Sequence, residues 1–271
     1  MSAADGSGPR RKRFGQHFLH DAGVIARIVA AIHPEPGDRL VEIGPGRGAL
    51  TLPLLDAAGE LDVVEIDRDL AARLRELARE RPGLRVHGGD ALRYDFAKLA
   101  ENGRPLRVVG NLPYNISTPL LFHLLDTVTV IQDMVFMLQK EVAERIAAEP
   151  GGPTYGRLSV MVQYHCQVHC LFDVGRGAFS PPPKVDSTII RLRPVARPPD
   201  AIASDPGLMK QVVTKAFGQR RKTLRNALRS ELTEPDFGLA GVDPTRRAET
   251  LSIAEFIRLA NAVAMLRATG S

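Results

Sequence analysis

Short apolar runs alternate with amphipathic segments along the first half of this 271-residue chain. The apolar runs have the length of buried strands, and the segments between them repeat their apolar residues at helical spacing. Strict alternation of strand and helix predicts a mostly parallel, doubly wound sheet and therefore an α/β fold. The predicted strands are Arg39–Ile43, Leu61–Ile66, Leu84–His87, Leu106–Val109 and Met134–Leu138, and the predicted helices are Leu50–Ala58, Arg68–Glu80, Pro119–Asp126 and Glu141–Ala148.

The pattern changes twice in the second half of the chain. Beyond the glycine-rich stretch 151–153, strand-like runs over Leu158–Val168 and Ser187–Leu192 indicate an antiparallel hairpin on the edge of the same sheet. Residues 194–206 are rich in Pro, Ala and Asp and are predicted to be a linker. A small all-helical domain over 207–271 is expected to follow, with helices at Leu208–Phe217, Lys222–Leu232 and Ile253–Leu266.

The positive charge is concentrated at the two ends of the chain. The formal net charge of +5 divides into +3 for residues 1–13, −3 for residues 14–206 and +5 for residues 207–271. Basic ends are expected where a protein touches a polyanion, although a simple contribution to solubility would produce the same pattern. We expect residues 1–13 to be a disordered basic arm and residues 14–193 to form the sheet domain, whose first helix is capped by Asp21.

Several classes of protein are excluded by what the sequence lacks. No apolar run approaches the roughly 18 to 20 residues that span a bilayer, and no hydrophobic segment follows the basic N-terminus, so we expect a cytoplasmic protein. The two cysteines, Cys166 and Cys170, are too few for a disulfide framework. Each follows a histidine in a strand-like segment, where neighbouring side chains point to opposite faces, and we therefore predict no metal site.

A glycine-rich turn follows the first predicted strand of the sheet. Residues 41–48 read Val-Glu-Ile-Gly-Pro-Gly-Arg-Gly, and Gly44 and Gly46 would let the backbone pass close beneath a bound nucleoside. Glu65 ends the next strand, where a carboxylate can accept both hydrogen bonds from a ribose diol. Asp90 follows the third strand and is placed to accept from an adenine amino group. An adenosine pocket is predicted, and a plain strand-to-helix turn is the alternative.

The tetrad Asn111-Leu112-Pro113-Tyr114 follows the fourth strand and suggests a chemical step. The lone pair of adenine N6 is delocalised into the ring, so this nitrogen is a poor nucleophile. The side-chain oxygen of Asn111 and the carbonyl of Leu112 could each accept one N6 hydrogen and localise that lone pair. Tyr114 offers a flat face for an extruded base, a contact worth about 1–3 kcal/mol. An ordinary turn shaped by Asn, Pro and Tyr is the alternative.

A basic segment lies in the predicted helical domain. At about 100° per residue, its cationic residues fall in one arc, and an apolar set occupies the opposite arc. Cations at this spacing can follow a phosphate backbone without contacting the bases, whereas a solvated helix face is the alternative. The cationic arc contains Arg221, Lys222, Arg225 and Arg229, and the apolar arc contains Phe217, Leu224, Ala227 and Leu228.

Five motifs in this order resemble the ribosomal RNA adenine dimethyltransferases, over about residues 10 to 265. Within that family the chain is most similar to the bacterial branch that dimethylates two adjacent adenines in the 3′-terminal hairpin of 16S rRNA. The motifs are Lys-Arg-Phe-Gly-Gln-His-Phe-Leu at 12–19, Glu-Ile-Gly-Pro-Gly at 42–46, Gly-Asn-Leu-Pro-Tyr-Asn-Ile-Ser at 110–117, Phe-Ser-Pro-Pro-Pro-Lys-Val-Asp-Ser at 179–187 and Arg-Arg-Lys-Thr at 220–223.

The resemblance implies a Rossmann-like class I methyltransferase domain over 14–193 that uses S-adenosyl-L-methionine. His17 stands where the family usually has Asn, which leaves its side-chain contact with the cofactor open. Phe179 matches a second aromatic that would pack against the target base opposite Tyr114, although it could simply anchor its loop. The implied cofactor contacts are His17, Leu19, Gly44, Gly46, Glu65, Asp90, Ala91 and Asn111.

The resemblance also implies a partner, 16S rRNA within the assembling 30S subunit, and a monomeric enzyme with a role in subunit maturation. The nearest alternative is a 23S rRNA adenine methylase of the antibiotic-resistance type, and DNA adenine methylases carry a related tetrad. A non-catalytic ribosome-assembly factor would keep the fold but has no need of the tetrad together with Glu65 and Asp90. A nicotinamide dehydrogenase is the weakest alternative, because the tetrad has no function in one.

Overall fold

The computed structural model describes residues 17–100, 103–196, 198, 201–219 and 221–269. The predicted basic arm, the first five residues of the 12–19 motif and Arg220 lie outside these residues.

A mixed sheet forms the centre of the described structure. Its seven strands run in the order β4-β3-β2-β5-β6-β9-β7, and a separate two-stranded sheet pairs β1 with β8. Strands β2 to β6 are parallel to their neighbours, whereas β9 runs antiparallel to both β6 and β7. The strands are β1 Phe18–Leu19, β2 Arg39–Ile43, β3 Leu61–Glu65, β4 Leu84–Gly88, β5 Leu106–Asn111, β6 Ile131–Gln139, β7 Cys166–Val174, β8 Phe179–Ser180 and β9 Ser187–Pro194.

Helices cover the sheet and make up most of the C-terminal part. They are α1 Ala22–Ile32, α2 Thr51–Ala58, α3 Arg68–Glu80, α4 Ser117–Leu125, α5 Lys140–Ala147, α6 Arg157–His165, α7 Pro206–Gly218, α8 Leu224–Ala227, α9 Glu234–Leu239 and α10 Ile253–Thr269.

The predicted α/β alternation is confirmed. All residues of β2 and β3 are buried, as expected for central parallel strands covered on both faces. The carboxylate of Asp21 accepts a hydrogen bond from the Val24 amide at 2.9 Å and caps α1, as predicted. Asp67 caps α3 in the same way, through the amides of Asp69 and Leu70. These caps start helices directly after the strands that carry the predicted site.

One predicted strand is wrong. Leu158–Val168 contains the helix α6, and only its last residues belong to β7. The helix is covered on two sides and none of its residues is exposed, so its polar residues do not mark an outer face and the helical period is hidden. The predicted antiparallel edge hairpin is confirmed, but it is formed by β7 and β9, with β9 paired to the parallel part of the sheet.

Two apolar cores meet at helix α6. Leu158 and Val162 pack into the core beneath the sheet. Val160, Met161 and Tyr164 pack instead among the C-terminal helices, where α7 and α10 make the largest contribution. The C-terminal helices therefore share a packed element with the sheet. No helix among the described residues is long and apolar enough to cross a membrane.

Candidate active site

A cavity of about 240 Å³ opens at the carboxyl ends of the central parallel strands. The strand order reverses here, because β2 lies between β3 on one side and β5 on the other. Ligands of open α/β sheets bind at such a switch point. Residues from four strand ends and from the N-terminal segment line the cavity, among them His17, Leu19, Gly44, Gly46, Glu65, Asp90, Ala91, Asn111, Leu112, Pro113 and Tyr114.

The glycine-rich turn between β2 and α2 forms one wall of this cavity. Gly44 and Gly46 have φ angles of +66° and +57°, in the left-handed region that favours glycine. A Cβ at Gly46 would lie 3.3 Å from the ring of Phe18, so the N-terminal segment packs directly on this turn. Glycine therefore suits both positions because of the backbone conformation, and at Gly46 also because of the close contact with Phe18.

Glu65 lies at the end of β3 and joins two loops. Its two carboxylate oxygens accept hydrogen bonds from the Gly46 amide at 3.1 Å and the Asp67 amide at 2.9 Å. A carboxylate has about four acceptor positions, so it can still accept from a hydroxyl group of a ligand. Burial raises the pKa of this carboxyl, and its backbone hydrogen bonds oppose that rise.

A second carboxylate, Glu42, lines the cavity. No role was predicted for it from the sequence. It lies in the buried strand β2 and accepts a hydrogen bond from the Thr51 hydroxyl at 2.6 Å. Burial raises its pKa to about 7, and the nearby charge of Glu65 adds to the rise. An acidic residue between the apolar Val41 and Ile43 of a buried strand is the signal by which Glu42 could have been found.

Asp90 and its neighbours form the wall beyond β4. The carboxylate of Asp90 accepts a hydrogen bond from the Leu92 amide at 3.0 Å, which fixes its orientation. Ala91 is buried beside it, and Ile66 is an exposed apolar side chain that also lines the cavity. This wall combines one polar acceptor with an apolar surface, which suits a purine ring.

The tetrad occupies the wall at the end of β5. The side-chain amide nitrogen of Asn111 donates to the carbonyl oxygen of His17 at 3.2 Å. The Leu112 amide donates to the carbonyl of Met137 at 3.2 Å and continues the pairing of β5 with β6. Within the described residues, no group donates a hydrogen bond to Asn111 Oδ1. That oxygen is therefore the acceptor that this side chain can offer to a ligand.

Tyr114 is half-buried at the edge of the cavity and is held in place from two sides. Its hydroxyl lies 2.9 Å from Oγ of Ser187, the buried first residue of β9. The ring of His17 lies 5.8 Å away, centroid to centroid. The Nδ1 atom of His17 is in turn 2.8 Å from the carbonyl oxygen of Pro181. Contacts around the Tyr114 ring thus connect the tetrad to the N-terminal segment and to the loop that contains Pro181.

Comparison with known proteins identifies the family. Residues 9–265 match the family of ribosomal RNA adenine dimethylases. The chain belongs to the ribosomal RNA adenine dimethylase family. This dimethylase is 61% identical over 256 residues to the ribosomal RNA small subunit methyltransferase A of Pseudomonas aeruginosa, covering 94% of this chain and 95% of that protein.

Two solved structures show the same fold. A dimethyladenosine transferase from Plasmodium falciparum superposes with a TM-score of 0.75 at 26% identity, covering 94% of this chain and 98% of that one. The 23S rRNA methyltransferase ErmE superposes with a TM-score of 0.68 at 28% identity, covering 91% and 99%. The dimethylase is therefore a class I methyltransferase that modifies adenine in ribosomal RNA with S-adenosylmethionine.

The cavity of this dimethylase fits that cofactor. Strand order places Asp90, Glu65 and the glycine-rich turn side by side at the ends of β4, β3 and β2. These positions suit in turn the adenine, the ribose and the methionyl part of one extended ligand, and Asn111 follows at the end of β5. The buried carboxylates also suit a ligand that carries a positively charged sulfonium.

Phe179 does not line the cavity in this structure, and its predicted contact with the target base stays a prediction. The side chain is only 3% exposed and packs in the apolar core beside Leu19 and Ala178, away from the cavity lining. Residues 18–19 pair with residues 179–180 as the β1–β8 sheet, so Phe179 lies beneath the N-terminal segment. The alternative that Phe179 anchors its loop agrees with this burial.

The basic segment keeps its two faces but not its predicted helix. Only Leu224–Ala227 is helical, so Arg221 and Lys222 precede the helix and Arg229 follows it. Leu224 and Leu228 are nevertheless fully buried, and the four cationic residues of the arc are exposed. Leu228 also closes the short helix, which is followed by turns rather than by further helical residues.

One of the four cations in the basic segment has an acidic partner among the described residues. Arg225 pairs with Glu234 at 3.2 Å, a partner that lies nine positions further along the chain. Glu231, the nearest acidic residue in the sequence, pairs instead with Lys215 and Arg267. Among the described residues, Arg221, Lys222 and Arg229 form no ion pair. Three of the four predicted cations thus keep their charge available for a polyanion.

No cluster of metal-binding side chains occurs in the described part of the chain. Cys166 is buried at the start of β7, whereas Cys170 is exposed. Burial raises the pKa of the Cys166 thiol to about 12, which keeps it protonated at neutral pH.

Proposed function

We propose that this chain transfers methyl groups to N6 of two adjacent adenines in the 3′-terminal hairpin of 16S rRNA. Its substrate would be the 30S subunit, and the chain would act in the cytoplasm as a monomer during subunit maturation. The 61% identity to a named small subunit methyltransferase supports this target. The 23S rRNA methyltransferase is much less similar, at 28% identity.

The observation that carries the proposed chemistry is the orientation of Asn111. Its amide nitrogen is engaged by the His17 carbonyl at 3.2 Å, which presents Oδ1 as a hydrogen-bond acceptor. An acceptor in this position would take one N6 hydrogen of adenine, and the Leu112 carbonyl would take the other. Each bond draws N6 toward tetrahedral geometry and localises its lone pair.

S-adenosylmethionine supplies an electrophilic methyl group on a positively charged sulfur. The residues of the chain would orient the adenine nitrogen toward that group. Correct orientation can lower a reaction barrier by roughly 7–11 kcal/mol in well-oriented systems. N6 gains the methyl group and loses a proton to solvent at each of the two transfers. A side-chain base is not needed, because the methylated nitrogen is strongly acidic while it carries the extra proton.

The remaining site residues would hold the substrates. Tyr114, fixed by Ser187 at 2.9 Å, would supply a face for the extruded base. Glu65 and Asp90 would bind the ribose and adenine of the cofactor, beside Gly44, Gly46 and Ala91. The exposed cations Arg221, Lys222, Arg225 and Arg229 would contact RNA phosphates.

The test is methylation of a defined substrate. Under-methylated 30S subunits would be incubated with the protein and methyl-labelled S-adenosylmethionine, and the modified bases would be mapped. We expect N6,N6-dimethyladenine at two neighbouring positions of the 3′-terminal hairpin. Label found in 23S rRNA of 50S subunits, and none in 30S subunits, would contradict the proposed target while leaving the chemistry in place.

A further inference from the structure

Arg47 lies in the glycine-rich turn, and its role is not explained by the reaction described so far. It stands between Gly46 and Gly48, whose φ angles are +57° and +85°. The Gly48 amide donates to the Pro45 carbonyl at 2.9 Å and closes the turn. Arg47 is exposed, yet it is part of the cavity lining. The turn thus places a cationic side chain at the mouth of the cofactor cavity.

The guanidinium of Arg47 rests on an aromatic ring. Its central carbon lies 4.4 Å from the ring centroid of Phe18, which also lines the cavity. Phe18 is itself fixed by its pairing with Ser180 and by contact with Gly46. Stacking on a ring face leaves the in-plane N–H groups of a guanidinium available as donors. Arg47 is therefore held in place without using its hydrogen-bonding capacity.

The cavity lining carries more acidic than basic side chains. Three acidic residues line it, Glu42, Glu65 and Asp90, whereas Arg47 is the one Lys or Arg in the lining among the described residues. Within the same described part of the chain, Arg47 forms no ion pair. S-adenosylmethionine carries a sulfonium and an ammonium group, which suit the acidic residues. Its carboxylate needs a cationic partner, and Arg47 is the one Lys or Arg among the described lining residues.

Strand order fixes the end of the ligand that Arg47 would meet. Asp90 follows β4, Glu65 ends β3, and Arg47 follows β2, the next strand in the sheet. With adenine at Asp90 and ribose at Glu65, the methionyl part extends toward the turn after β2. We propose that Arg47, supported by Phe18, binds the carboxylate of the methionyl group. This inference rests on the proposed positions of adenine and ribose.

Arg47→Gln tests the pairing, because glutamine keeps polarity but removes the charge. Binding would be measured by calorimetry with two probes, S-adenosylhomocysteine and decarboxylated S-adenosylmethionine. We expect Arg47→Gln to weaken S-adenosylhomocysteine roughly tenfold, about 1.4 kcal/mol, and to leave the decarboxylated probe unchanged. Arg47→Lys should recover part of the loss.

Arg27→Gln is a matched control. The guanidinium of Arg27 also rests on a phenylalanine ring, 4.1 Å from the centroid of Phe172, but it is absent from the cavity lining. This variant should bind both probes as the wild type does. It separates loss of a stacked arginine in general from loss of the one at the cavity.

The outcomes distinguish the possible failures. A wild-type protein that binds neither probe would contradict the cofactor site itself. Equal weakening of both probes by Arg47→Gln would show that Arg47 only supports the turn, which overturns the inference. Unchanged binding of both probes, together with a shallower salt dependence of 30S binding, would show instead that Arg47 contacts an RNA phosphate.

Discussion

The side-chain amide of Asn111 donates to the main-chain carbonyl of His17 across 3.2 Å. These residues are 94 positions apart, and the bond crosses from the end of β5 to the segment that precedes β1. Because the acceptor is a carbonyl, the contact does not depend on the side chain of residue 17. The hydrogen bond that orients Asn111 is therefore compatible with the histidine at position 17.

Asn111→Ala is expected to lower methyl transfer by roughly 100-fold or more, because it removes the acceptor that we propose localises the N6 lone pair. Affinity for S-adenosylhomocysteine should stay within a few-fold. Single-turnover methylation of 30S subunits and calorimetry measure the two quantities on the same preparation. Transfer at the wild-type rate would refute the assigned role.

Tyr114→Phe and Ser187→Ala each remove one side of the 2.9 Å hydrogen bond between these residues. Each change should lower the methylation rate at subsaturating 30S subunits several-fold, because the aromatic face loses its fixed position. The double variant should be no worse than the single ones, since both remove the same bond. Additive losses would show that Ser187 does not act through Tyr114.

Glu42 gives the dimethylase a defined pH dependence of stability. Its pKa is about 7 in the folded protein, against an ordinary value of 4.5. Between these values the folded protein holds a proton that the unfolded chain releases, so the folded state loses stability as the pH rises through this window. The loss is complete above pH 7 and is on the order of 3 kcal/mol.

Glu42→Gln should remove this loss while keeping an acceptor for the Thr51 hydroxyl. Denaturant unfolding at several pH values would compare the variant with the wild type. Between pH 4.5 and pH 7, we expect the unfolding free energy of the wild type to fall relative to that of the variant. Parallel pH profiles for the two proteins would contradict the raised pKa.

Gly46→Ala and Gly59→Ala separate backbone strain from crowding of the cavity. Both glycines have positive φ, +57° and +80°, so alanine is strained at either, by about 1 kcal/mol. Only at Gly46 would the new Cβ meet a ring, that of Phe18 at 3.3 Å, whereas nothing lies within 4 Å at Gly59. Gly46→Ala should weaken S-adenosylhomocysteine roughly tenfold. Gly59→Ala should bind normally, and equal binding by both variants would exclude a role for the Phe18 contact.

Lys222→Gln and Arg229→Gln should each weaken 30S binding and reduce the slope of log K against log salt by about 1. The measurement is filter binding over a series of salt concentrations. Arg79→Gln on α3 removes an exposed arginine on a different element and serves as the control. Slopes equal to that of the control would contradict phosphate contacts at these two residues.

The central sheet could be predicted because its residues obey local rules. Arg39–Ile43 and Arg68–Glu80 have the predicted bounds, since an apolar run and a capped amphipathic segment are each sufficient to define their element. The predicted cofactor contacts line one cavity because parallel strands end at the same edge of a sheet. Glycines and carboxylates after three successive strands therefore had to meet.

The structure differs from expectation where long-range packing decides the outcome. Helix α6 lies between two cores and has no exposed face, so its polar residues, such as the buried Ser159, do not reveal the helical period. The burial of Phe179 depends on its pairing with Leu19, 160 positions earlier, which local sequence does not reveal. In each case the deciding neighbour is distant in sequence or lies beyond the element itself.

The position of α6 between the two cores has a consequence for any attempt to shorten the protein. Tyr155, Val160, Met161 and Tyr164 are covered by the C-terminal helices, and the hydroxyl of Tyr155 donates to the Leu251 carbonyl at 3.0 Å. A fragment that ends before Pro206 would expose these side chains to water as an apolar surface. The sheet domain therefore depends on the C-terminal helices to complete its own interior, whatever contact those helices make with RNA.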